Sequence, residues 1–433
     1  MKVGSFFPEQ EERVFYALSA DDLELHFSRE DLNAKQLVDD SENKSLMCCL
    51  QVASMYFGKP EDHTSFYESF LKDEWQEVLV RYHNFFIQMG MNPISLDNLH
   101  YYPLDDFYSS IDSDKKDIDL ISIHLVSGSN QCLQSDEVSL RISQEVNSKM
   151  RLAETAPSKN IPVPSTLVTR KNQLDDPDVE GFISNHPPAV MLKVMGLSGA
   201  RNVIEVSSVK EIKTYLADYK EDLELVLQQK LDISIWTEMT VDLIIKDTEI
   251  TIANTRKILF SEGIWIGNYL NSNITLSKKQ HSALIKVGEY VRSLGYSAPE
   301  GLNCGIDFFI DGEDIMVIEI NARYTGGLFP AEILNRIGVT NSDTGSVAFF
   351  DMVSRDKLKE YLTFIDKCLY GKSPYNFSIA PMGFSPNTIE MDGEKVNVWQ
   401  VVVGDLEQFK VVKKQFLSDG EMPVSERVFV ESN

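Results

Sequence analysis

Residues 301–327, GLNCGIDFFIDGEDIMVIEINARYTGG, constrain the chain more than any other stretch, because they set charged and amide groups into otherwise apolar strand-like runs. After Ile315 the residues MVIEINAR alternate with period two, which predicts a strand carrying Glu319, Asn321 and Arg323 on one face. Asp307 sits on the preceding strand of the expected hairpin. Directly opposed residues of an antiparallel pair face the same way. Asp307 therefore joins Glu319 only if the loop near Asp311–Asp314 has an odd number of residues or the ladder carries a bulge, whereas a plain two-residue turn sends it to the other face. Polar alternation more often marks a solvated hairpin. Here two carboxylates, an amide, a guanidinium and the closing Tyr324-Thr325-Gly326-Gly327 turn together favour a metal and phosphate platform, since a hard divalent cation takes oxygen ligands and shares them with polyphosphate.

With 433 residues the chain has room for several domains. Five scattered cysteines form no CxxC or His/Cys metal pattern and argue for a reducing compartment. No signal-like start and no apolar run of about 18 residues is visible, so a soluble, cytoplasmic protein is expected, without a membrane partner. A net charge of −25 repels nucleic acid, so any phosphate ligand needs a local basic cluster and metal ions.

The order of elements predicts an α/β (α+β) chain in four parts. Residues 1–135 carry an apolar strand at 13–17, helical periodicity over 65–89 and a strand at 118–126 closed by Ser127-Gly128-Ser129-Asn130. A helix over 137–153 then runs into Ile161-Pro162-Val163-Pro164, whose prolines end it. Residues 136–230 read as one small subdomain and 231–340 as a larger one, with strands at 240–245 and 249–258 and a helix at 278–294. Residues 341–433 read as an appended lobe.

In the smaller subdomain an apolar strand, VMLKV, carries Lys193 and leads into Gly196-Leu197-Ser198-Gly199-Ala200-Arg201-Asn202. A strand-end ammonium beside a glycine loop suits phosphate, because the loop's N–H groups approach closely, and Arg201 adds a second cation. A snorkelling lysine and an ordinary turn would leave the same trace. Walker-type, GxGxxG, HExxH, GxSxG and kinase signatures are absent, so a nucleotide must be held by another architecture.

The ordered set Asn147-Ser148-Lys149, IPVP, VMLKV with its glycine loop, the strand LVLQQKL, GIDFF and EINARYTGG resembles the ATP-grasp superfamily of carboxylate-amine and carboxylate-thiol ligases, and most of all its amino-acid and peptide ligases. The resemblance covers about residues 140–335. It implies an N-terminal α/β domain followed by two α+β subdomains that grip ATP, with two magnesium ions, or manganese in their place. Lys149 and Lys193 match the phosphate-contacting lysines, and Gly196, Ser198, Gly199 and Arg201 belong to the loop over the triphosphate. Gln228, Gln229, Lys230 and Leu231 match the adenine-reading hinge, although a glutamate is usual where Gln228-Gln229 stands. Glu238 matches the ribose acid, and Arg256 faces the phosphate region. Asp307, Glu319 and Asn321 match the metal set, with Arg323 facing the reacting groups; Arg323 and Lys193 would be catalytic. The implied activity is ATP-dependent joining of a small carboxylate to an amine. Alternatives are loading of an amino acid onto an acyl carrier protein and a nucleotide-binding module without turnover. The resemblance also makes a homodimer an expectation.

Overall fold

The computed structural model of the protein describes residues 2–28, 32–114, 118–133, 137–194, 203–261, 264–270, 274–339, 345–386 and 395–416. The expected phosphate loop, with Gly196, Ser198, Gly199 and Arg201, lies outside them. Five short strands, β1 (Lys2–Gly4), β2 (Val14–Ala17), β3 (His63–Tyr67), β4 (Leu99–Tyr102) and β5 (Leu120–Ile123), form a parallel sheet in the order β1-β5-β2-β3-β4. Strands β2 and β5 are buried throughout, as sheets covered on both faces require. Helical periodicity over 65–89 gives way at its start to β3; the helix begins at Asp73 and ends at Gln88, burying Trp75, Leu79, Tyr82 and Phe86.

A second, antiparallel sheet of β6 (Thr166–Arg170), β7 (Val190–Val194), β8 (Val203–Val206) and β9 (Glu224–Gln229) runs in the order β6-β9-β7-β8. The third has eight strands: β10 (Thr237–Ile245), β11 (Ile250–Ser261), β12 (Ile264–Leu270), β13 (Leu302–Asp311), β14 (Asp314–Asn321), β15 (Ser346–Ser354), β16 (Phe377–Ser385) and β17 (Lys395–Gly404). Their order is β14-β13-β10-β11-β12-β15-β17-β16. Where the sequence predicts an appended lobe beyond residue 340, the structure pairs β15 with β12 and so continues the same sheet. The reason is apolar: Phe349, Trp399, Val401 and Ile379 pack in one core with Tyr56, Phe57 and Phe329.

Two local features set up the site. The helix expected over 137–153 breaks into Glu137–Val146 and Lys149–Thr155 because Ser148 caps the second, its hydroxyl accepting from the Arg151 N–H. The IPVP segment lies along the free edge of β14, where the Val317 N–H donates to the Pro162 carbonyl (2.7 Å); the prolines lack the donor that regular pairing would need. Val241, Leu243, Ile306, Phe308 and Val317 pack in a core with Leu284, Val287 and Val291 of the helix Lys278–Ser293. Period two therefore turns Thr240, Asp242 and Asp307 to the other face. No helix among the described residues is long and apolar enough to cross a membrane.

Candidate active site

The β13–β14 hairpin resolves its parity condition by a bulge. Its turn is the two-residue kind, with Asp311 opposite Asp314 and Gly312 at φ +54, where a left-handed backbone favours glycine. That register would leave Ile318 opposite Asp307. The ladder instead slips between Asp307 and Phe308, so Phe308 faces Val317 while Asp307 faces Glu319 and Gly305 faces Asn321. One extra residue thus brings the whole acid–amide set to one face.

Within this set the Asn321 amide donates to an Asp307 carboxylate oxygen at 2.9 Å. Its Oδ1 is buried and has no hydrogen-bond partner, an acceptor held without a donor. Lys149, nearly buried, pairs with Glu319. Asn147 supports the turn behind them, its Oδ1 accepting from the Ala322 N–H at 2.8 Å. Among the described residues no group of three or more His, Cys, Asp or Glu could hold a metal. Asp307, Glu319 and Asn321 offer two carboxylates and an amide oxygen, which fits magnesium because that ion completes its shell with water and phosphate oxygens.

Burial, and then the Glu319 charge, pushes the Asp307 carboxyl up to about 6. Burial also opposes ionisation of Glu319, but Lys149 and Arg323 outweigh it and hold this carboxylate below its ordinary range. Lys193 reaches across from β7; its ammonium is pushed down to about 8 by burial and donates to Gln228 Oε1 at 2.6 Å. Gln228 in turn donates to Thr166 at 3.2 Å, so its side chain positions Lys193. Glu238, on β10, is pushed up to about 8 by burial and by Asp307. Gln229, Lys230 and Leu231 do not line the cavity described below, and Lys230 pairs with Glu205.

Arg256 on β11 is fully buried and ion-paired with Asp242 at 2.5 Å. Asp242 also accepts from Thr325 (2.8 Å) and Asn303 (3.2 Å), while Asn303 donates to the Arg323 carbonyl at 2.8 Å. The Thr325-Gly326-Gly327 turn presses onto this network: a Cβ at Gly327 would overlap the Arg256 guanidinium, and one at Gly326 would press into Trp265. Arg323, just past the end of β14, points toward Asp22 of the N-terminal region (3.4 Å), which also meets His124 at 3.5 Å.

These groups converge on a cavity of about 250 Å³ lined by Lys193, Glu238, Arg256, Asp307, Glu319, Asn321 and Arg323 from the expected set. Sequence reasoning did not single out Asp22, Asn43, His124 or Thr240, which also line it. Trp265 and Asn268 line it as well, from β12. Asn130 turns its amide back onto Leu125, Ser127 and Asp21, so the Ser127–Asn130 loop is closed on itself.

No family model and no curated protein matches the sequence. Solved structures do match the fold. The N5-carboxyaminoimidazole synthase of Aspergillus clavatus, in complex with ADP and 5-aminoimidazole ribonucleotide, has a TM-score of 0.54 at 11% identity, covering 98% of this chain and 99% of that one. The phosphoribosylamine–glycine ligase of Thermotoga maritima gives 0.54 at 12%, over 91% and 92%. The biotin carboxylase domain of the Hydrogenobacter thermophilus 2-oxoglutarate carboxylase, in complex with the magnesium salt of ADP, gives 0.54 at 10%, over 98% and 94%. At these identities the likeness is one of fold. The chain has the ATP-grasp fold.

Proposed function

We propose that the protein is an ATP-dependent ligase that activates a carboxylate, of an amino acid or peptide, as an acyl phosphate and joins it to an amine. The observation that carries this reading is the bulge-set alignment of Asp307, Glu319 and Asn321, with Asn321 Oδ1 left without a donor beside them. The four segments 1–135, 136–230, 231–340 and 341–433 serve in this reading as substrate region, phosphate-loop subdomain, metal subdomain and tail.

In the first step a carboxylate oxygen attacks the γ-phosphorus of ATP; the new P–O bond forms as the bond to ADP breaks, and ADP leaves. In the second, the amine nitrogen attacks the acyl carbon, the C–O bond to phosphate breaks, inorganic phosphate departs and the nitrogen loses a proton. Magnesium held by Asp307, Glu319 and Asn321 would supply charge neutralisation on the phosphates. Lys193, whose burial weakens its charge, regains it beside an anion and so binds the triphosphate end of ATP. Lys149, paired with Glu319, contributes a second cation. Arg323 stands between that platform and the N-terminal region, where it can hold the carboxylate in line for attack.

The test is a screen of amino acids, singly and paired, for ADP release with mass detection of products. The expected result is one ADP per new amide, and a hydroxamate when hydroxylamine traps the acyl phosphate. ADP release with no product mass in any pairing would overturn the reading.

A further inference from the structure

The cavity has two unlike halves. Toward β13 and β14 it is ionic. Toward the N-terminal region it is walled by Leu46, Met47 and Leu50 on the helix Ala34–Phe57, and opposite them by Trp265 of β12 and Phe350 of β15. Trp265 and Phe350 meet edge to face at 5.6 Å, and Phe350 stacks on Trp399 at 5.1 Å, so this wall is rigid. Set into it is Asn268, 2% exposed, whose Oδ1 has no hydrogen-bond partner. An acceptor buried at that cost, and lining a cavity, is arranged for a donor on a ligand. Asp22 adds a carboxylate to the cavity lining, 3.4 Å from Arg323, the carboxylate-binding cation.

We infer that the acid activated here is an α-amino acid with a bulky apolar side chain: its carboxylate on Arg323, its ammonium on Asn268 Oδ1 and Asp22, its side chain between the helix and the Trp265–Phe350 wall. The inference rests on the ligase reading for which group reacts, but the binding it describes does not depend on turnover. A phosphorylated sugar fits poorly. Arg256 is already held by Asp242, and beyond Arg323 the apolar half offers no lysine or arginine among the described residues. Wall and acceptor together select for both ends of one small zwitterion.

The experiment measures equilibrium binding by calorimetry to the protein loaded with magnesium and a non-hydrolysable ATP analogue, alongside ADP release with ATP. The probes are leucine, phenylalanine, tryptophan, alanine, aspartate, arginine and ribose 5-phosphate. Bulky apolar amino acids should bind about tenfold or more tighter than alanine, the range one apolar pocket can discriminate. Deamination of phenylalanine to 3-phenylpropionate should cost a similar factor. Trp265→Ala should erase the preference for bulky side chains. Leu46→Trp, at a half-buried position that tolerates size, should turn it toward alanine. Tightest binding by ribose 5-phosphate, aspartate or arginine would overturn the inference, as would an unchanged preference in both folded variants. ADP release with polar acids alone would sink the inference and leave the ligase standing. Selective binding of bulky apolar amino acids with no ADP release under any pairing would do the reverse.

Discussion

Asp307 and Asp351 lie in one eight-stranded sheet, on β13 and β15, and both are drawn out of water, yet only one lines the cavity. Asp351 is fully buried against Lys413 (2.6 Å), Tyr361 and Gln400 (3.0 Å), and its neighbour Phe350 points to the cavity while it points away. Asp307 lines the cavity, its side-chain donors the Asn321 amide and the Thr240 hydroxyl and its cross-strand neighbour another carboxylate. Each cluster keeps buried oxygen without a donor, Oδ1 of Asp351 and Oε1 of Gln400 in one and Oδ1 of Asn321 in the other. An orphaned acceptor therefore does not mark a site by itself. What separates the two is that Lys413 sits directly on Asp351, whereas Lys149 pairs with Glu319 and leaves Asp307 facing the cavity.

The sharpest way to break that comparison is Glu319→Ala. If the platform exists for a ligand, ATP-coupled turnover should fall by about ten thousandfold or more, on the order of 5 kcal/mol in the barrier, with the chemical denaturation midpoint little changed. Retained turnover in the folded variant would remove the acid–amide set from the mechanism. The converse variant is Lys413→Met. Removing the built-in cation strands the Asp351 carboxylate in the core, and unfolding free energy by urea titration should drop by about 3–4 kcal/mol while turnover of the folded fraction persists. A variant as stable as the parent would show that Lys413 is not what compensates Asp351.

How much of this was legible in the sequence divides along the same line. Alternation in MVIEINAR placed Glu319, Asn321 and Arg323 correctly, because period two is a local property. The parity condition for Asp307 was legible too, but not the position of the bulge, which follows from how Val317 and Ile320 must both reach the core beneath helix Lys278–Ser293. Asp242 and Asn303 escaped notice, since each is an ordinary polar residue until the ladder brings it to Arg256 and the Thr325-Gly326-Gly327 turn. Asp22 and His124 lie about 200 residues or more from the platform in sequence, and only sheet packing joins them to Arg323. The tail's three strands read as a separate lobe because strand runs reveal length and polarity, while the identity of the edge they join is set by distant apolar residues.

The smallest effect concerns what the site's cations do to their surroundings. His26 is partly buried at the rim of a second cavity, where burial, and then the charges of Lys149 and Arg323, push its imidazole down to about 4 from 6.5. A depressed folded-state value means that the unfolded chain takes up the proton first as pH falls. The stability tied to neutral His26 is complete above about pH 6.5, is lost between about 6.5 and about 4, and changes no further below that. The imidazole keeps some contact with water, so the amount is on the order of 1–2 kcal/mol. His26→Gln keeps a polar side chain and abolishes the titration. Urea midpoints for the two proteins should converge or run parallel at pH 7 and above, and the parent should lose more stability than the variant between pH 6.5 and 4. Parallel curves across that whole window would show that neither burial nor the charges of Lys149 and Arg323 depress the His26 imidazole.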